Sequence, residues 1–187
     1  MGRNLAAAVG VLVLTAALFG CGDPNPGDGA PATGAKAVAA TPPAPVPVPS
    51  GKPVLTIAGA VGNHNEGAAV AVDMPTLDAM ATVTSPMYEP FIKKTVTFTG
   101  IPVVALLARA GVAPAATTVR LHALDDYNVE LTVSDLKDPR ILLATKADGV
   151  RIPVSDGGPI RLVFPADSAV GKNKDLWIWS IDSITVA

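Results

Sequence analysis

The chain has 187 residues, a net charge of −2 at pH 7 and only 16% charged residues. It carries no Lys/Arg run or basic patch, which argues against nucleic acid as a partner. Its single cysteine excludes an internal disulfide and a cysteine-rich zinc site. The 49% apolar content comes largely from Ala and Val, aromatics reach 4%, and the length suffices for one domain with a proper core.

Residues 1–20 read as an export signal peptide. Arg3 supplies a positive n-region, and residues 5–19 form an apolar run whose one polar member is Thr15. The run is shorter than the ~20 residues of a membrane span and suits a signal-peptide h-region; an uncleaved anchor is the alternative. It ends in Leu18, Phe19, Gly20, Cys21. This end resembles the bacterial lipoprotein signal at Leu18, Gly20 and Cys21, with Phe19 in place of the usual small residue. Cys21 is therefore expected to be lipidated and to hold the protein on a membrane of the cell envelope, on the periplasmic or another extracytoplasmic face. Two or more acyl chains anchor stably where one is marginal.

Residues 21–52 read as a lipid-anchored Pro/Gly/Ala-rich tether. "TPPAPVPVPS" is almost alternating proline, and proline fixes φ and lacks an N–H, which predicts extended polyproline II. At ~3.1 Å per residue, residues 42–49 would span roughly 25 Å. The tether is expected to bury little and to add almost nothing to folding.

Residues 53–187 read as α+β: β-rich mixed sheets with a few short helices. "VLTIAGAVG" and "AAVAVD" give two strands, and "MPTLDAM" a short helix with Asp73 at its N-cap and Pro75 in its first turn. "TVTFTG" alternates like a half-buried strand. In "IPVVALLARAGV", Val103, Leu106, Leu107 and Ala110 recur at helical spacing and Gly111 supplies the C-terminal cap. "TVRLHAL" and "YNVELTV" alternate around Asp125-Asp126, predicting a hairpin with Val119, Leu121 and Ala123 on one face. Ser134 is placed to cap a single helical turn. Asp148-Gly149 turns between two short strands, "SDGGPIRLVFP" is a Gly-rich loop entering a strand, and "LWIWSIDSITV" is apolar and β-favouring.

No catalytic set stands out, and no nucleophile elbow is present. His64 with Glu66 in "GNHNEG" is better read as a surface turn than as a metal site, which needs a fuller ligand set. His122 beside Arg120 reads as a solvated strand face. "SDGGPIR" is the more suggestive segment. Its glycines expose backbone N–H groups and allow close approach, and the Arg161 guanidinium suits phosphate. "GKNK" adds Lys172 and Lys174. A plain connecting turn is the alternative.

Taken in order, "LTIAGAVG", "TFTGIPVVALLARAGV", "VRLHALDDYNVELTVSDL", "ILLATKADGVRIP", "GGPIRLVFP" and "WIWSIDSITV" resemble the sulfite oxidase-type molybdopterin-binding domain. The resemblance implies that fold, an α+β domain on several sheets. It implies that Arg161 stands where the family's Arg binds the phosphate end of the pterin, that Asp156 stands where some members have Asn, and that Gly171 and Lys172 match a cofactor-contacting loop. It also exposes departures. Ser85 in "VTSPMY" stands about where the family's molybdenum-ligating cysteine would be, and "DDY" replaces "DGY". A serine hydroxyl is a poor substitute for a soft thiolate.

The sequence thus leads to an exported, lipid-anchored protein whose molybdopterin-binding-like domain acts as a binding or accessory module. No cofactor is expected, molybdopterin entering only through the resemblance, and no metal ligand or catalytic residue is assigned. Asp156, Arg161 and Lys172 are the candidate cofactor-binding residues, and a small anionic ligand or an envelope protein the candidate partner. The alternative is a molybdopterin-dependent oxidoreductase of the cell envelope.

Overall fold

Alternating apolar residues in short runs, punctuated by Gly, Pro and Asp, produce a domain made mostly of strands. The computed structural model describes residues 42–80 and 82–187. In chain order these form β1 (Leu55–Gly59), β2 (Val70–Val72), α1 (Met74–Ala79), β3 (Val83–Glu89), β4 (Lys94–Pro102), α2 (Val103–Ala110), β5 (Thr118–Ala123), β6 (Asn128–Thr132), β7 (Leu142–Ala147), β8 (Val150–Arg151), β9 (Arg161–Val163) and β10 (Ile181–Val186). Short 3-10 turns lie at Asp135–Lys137, Val154–Asp156, Val170–Lys172 and Lys174–Leu176. The signal peptide, Cys21 and the first part of the tether lie outside the described residues.

Two mixed or antiparallel sheets carry the fold. One runs β2-β1-β10-β5-β6, with β1 and β10 parallel and the other pairs antiparallel. The other runs β3-β4-β7-β8, and β9 also pairs with β7. One apolar core serves both, including Ile57, Leu121 and Ile184 from the first sheet and Phe98, Leu143 and Leu162 from the second.

The local readings hold where the signal is local. Asp73 caps α1 by accepting from the Thr76 N–H, and Pro75 sits in the first turn. Helix α2 buries Val103, Leu106, Leu107 and Ala110 and ends on Gly111 at φ 70°, the left-handed region where a Cβ is costly. β5 and β6 form the expected hairpin, burying Val119, Leu121 and Ala123. Ser134 makes no capping bond. Asp135 closes that turn instead, accepting from the Thr132 N–H and hydroxyl.

One strand has no counterpart in the sequence reading, and one segment departs from it. β3 contains Pro86, which argues against a strand. The strand forms because β3 pairs only with β4, so the missing N–H falls on a sheet edge. The end of the proline stretch lies on the domain rather than free of it. Val46 is 3% exposed. The Asn65 amide donates to the carbonyls of Pro47 and Ala71 and accepts from the Ala71 N–H, and Arg109 donates to the Ala44 carbonyl. Asp73 accepts from the N–H groups of Ser50 and Gly51. Asn65 and Asp73, distant in sequence, supply the donors and acceptors that hold it down.

Candidate functional site

The glycine-rich segment and the last strand meet around Arg161. Arg161 begins β9, opposite Ala144 of β7, with Gly100 of β4 beyond. These small neighbours leave room for its side chain to cross the sheet face. Its guanidinium carbon lies over the Trp179 ring, 4.2 Å from the centroid, and 5.8 Å from the Phe98 centroid, so both aromatic faces attract the cation. Trp179 also meets Phe91 edge to face at 5.2 Å.

The backbone is shaped around that tryptophan. Gly157 takes φ 81°, and a Cβ on it would come within 2.9 Å of the Trp179 side chain. The Ser180 N–H donates to the Gly157 carbonyl at 2.7 Å, and Ser180 itself takes φ 52°. The glycine is required here for close approach and for its left-handed conformation. The following Gly158–Pro159 bond is cis.

Arg161 is 11% exposed and pairs with Glu89, which is 1% exposed, Nη2 donating to Oε1 at 3.1 Å. The second carboxylate oxygen of Glu89 accepts from the N–H groups of Phe91 and Ile92 at 3.0 and 2.7 Å. Burial pulls the Arg161 pKa below its usual value, and the charge and hydrogen bond of Glu89 and the charge of Asp156 oppose that. Arg161 Nε is buried with no acceptor.

The candidate residues are dispersed. Asp156 is exposed at the end of its 3-10 turn and reaches Arg161 through charge alone. Lys172 is exposed, and Gly171 beside it accepts from the Trp177 indole N–H at 2.8 Å. It is Lys174, with Asp125, Phe91, Tyr127, Trp177 and Trp179, that lines the neighbouring cleft of about 420 Å³. Ser85 is half-buried on β3, opposite Phe98 and on the same face as Met87 and Glu89. His64 and Glu66 are exposed. Their loop works through its asparagines, Asn63 capping the Arg109 carbonyl at the end of α2 and Asn65 holding the proline stretch. His122 is 34% exposed, bonded to Asp182 at 2.8 Å with Asp126 at 3.4 Å. The hydrogen bond to Asp182 raises the His122 pKa, burial opposes it, and the charge of Asp182 with the hydrogen bond to and charge of Asp126 add to the rise.

Sequence reasoning singled out Arg161 but not Glu89 or Trp179. Glu89 carries no signal beyond an acidic residue in an otherwise apolar stretch, and its partner is 72 positions away.

Two sheets sharing one apolar core, with short helices between their strands, define an α+β domain of mixed sheets. The chain belongs to the oxidoreductase molybdopterin binding domain family, whose model matches residues 73–185. No curated protein matches the chain. Among solved structures it is similar in fold to the sulfane dehydrogenase SoxCD from Paracoccus pantotrophus, with a TM-score of 0.56 and 17% identity over 71% of this chain. The similarity spans 37% of that longer chain.

The residues around Arg161 do not fit a pterin phosphate as they stand. A phosphate needs the guanidinium edge that Glu89 holds, and would face a buried carboxylate of like charge at close range. Among the described residues, no group of three or more His, Cys, Asp or Glu side chains is placed to hold a metal ion.

Proposed function

We propose that the chain is an exported, lipid-anchored protein whose molybdopterin-binding-family domain serves as a binding or accessory module at the cell envelope, without a working molybdenum centre. The observation that carries this reading is the buried Glu89–Arg161 pair, which neutralises from within the one arginine placed for a cofactor phosphate. Ser85 supports it, because a neutral hydroxyl replaces a soft ligand at the expected metal position. The apolar run ending in Cys21 supports the anchor. Exposed Phe91, Tyr127 and Val154 around the cleft beside Trp179 give the module a surface for an envelope protein or a small ligand.

Elemental and pterin analysis of protein purified from its own host tests the reading, with neither molybdenum nor pterin at stoichiometric level expected. Family membership favours the second reading, a molybdopterin-dependent oxidoreductase. Stoichiometric molybdenum together with a redox activity lost in Ser85→Ala would establish that one instead. Mass spectrometry of the mature N-terminus tests the anchor: acylated Cys21 is expected, and an unmodified Cys21 would remove it.

A further inference from the structure

Arg161 has five N–H donors in a rigid fork. Within the protein it makes one hydrogen bond to an acidic partner, through Nη2, while Nε is buried without an acceptor. Among the described residues Nε is the one buried side-chain nitrogen or oxygen in that condition. An ion pair built for stability alone tends to be bidentate, with every buried donor engaged. Here the guanidinium is desolvated, placed against the rings of Trp179 and Phe98, and under-bonded. Those are the features of an oxyanion receptor. The carboxylate that answers it comes from the end of β3, across β7 and β4 in the same sheet, and divides its bonding between Arg161 and the turn N–H groups of Phe91 and Ile92.

We propose that Glu89 is a built-in anion standing in the place of an oxyanion ligand on Arg161, so that the site is closed in the native chain and opens to inorganic phosphate or a small carboxylate when the Glu89 side chain is removed. This rests on the reading of the domain as a module without a metal centre. An anion entering the native protein has to displace a carboxylate that is 1% exposed and held by two backbone N–H groups. Native affinity for free phosphate is accordingly weak, and the closing group sets it.

The test is thermal unfolding of the full-length protein and of Glu89→Ala in phosphate, acetate or chloride at matched ionic strength. Glu89→Ala alone should lose melting temperature in chloride. Phosphate at about a hundredfold over its dissociation constant should then raise it by roughly 5–10 °C, with acetate giving a smaller rise. The native protein should show no phosphate-specific gain, and neither should Glu89→Ala/Arg161→Met. Equal gains in the native protein and Glu89→Ala, or a gain that survives Arg161→Met, would overturn the proposal, as would no anion-specific recovery. Should Glu89→Ala fail to fold, Glu89→Gln is read by the same criteria, and failure of both to fold in phosphate would mark the pair as purely structural. Molybdenum or pterin in the native protein would sink the module reading on which the proposal rests, and elemental analysis reads it separately from melting. A failed rescue would sink the closing role of Glu89 and leave metal content untouched.

Discussion

Asp73 and Glu89 are both 1% exposed, yet they are satisfied in different ways. Asp73 accepts from the Thr76 N–H, the Ser50 N–H and hydroxyl, and the Gly51 N–H, all neutral donors. Glu89 accepts from two N–H groups and a guanidinium. A buried carboxylate must recover from the protein what it loses from water. Asp73 does so by gathering the strap and helix α1 around itself, and its place is structural. Glu89 does so by neutralising the Arg161 guanidinium, so its removal uncovers a charge. One carboxylate closes a structure and the other closes a site.

The difference is broken most directly at Arg161. Arg161→Met leaves Glu89 buried without its cation and should cost about 3–5 kcal/mol in denaturant unfolding. Glu89→Met/Arg161→Met should recover most of that, because a matched apolar pair carries no unpaired charge. A loss under about 1 kcal/mol in the single variant would mean the pair contributes little.

At the other carboxylate the strap is the handle. A chain beginning at residue 53 should unfold roughly 2–4 kcal/mol more easily than one beginning at residue 42, since it lacks Val46 and the bonds to Asp73, Asn65 and Arg109. Equal midpoints would return this segment to the free tether that its composition suggests.

Acid sharpens the comparison further. Hydrogen bonds from Thr76, then Gly51 and Ser50, hold the Asp73 carboxyl well below the usual carboxylate range despite its burial. A depressed folded-state pKa gives stability that is present above the unfolded value, near 4, and lost as pH falls through the folded one. Asp73→Asn should therefore flatten the acid limb of the stability profile, and an unchanged limb would refute this.

The smallest effect is expected at His122, whose raised pKa works in the opposite sense. Its contribution is fully present below the ordinary histidine value of about 6.5 and fades as pH rises through the folded value. An NMR titration should place its midpoint above that ordinary value, and Asp182→Asn should bring it down. A midpoint unmoved by Asp182→Asn would assign the shift elsewhere.

The sequence alone determined whatever depends on neighbours along the chain. The Asp73 cap, the Gly111 stop, the β5–β6 hairpin and the Asp148-Gly149 turn each rest on residues within a few positions of one another, where spacing and φ preference suffice. The ordered series of apolar segments also carried the family, and with it Arg161. Tertiary structure alone decided what that arginine faces. Glu89 is 72 positions away on β3, and only the sheet order, with β9 on β7, β7 on β4 and β4 on β3, brings the two together. It likewise decided that Lys174 rather than Lys172 turns into the cleft, through two consecutive 3-10 turns whose directions no periodicity reports. It decided too that the proline-rich segment docks, because proline sets its own φ but cannot specify the distant Asn65 and Asp73 that receive it.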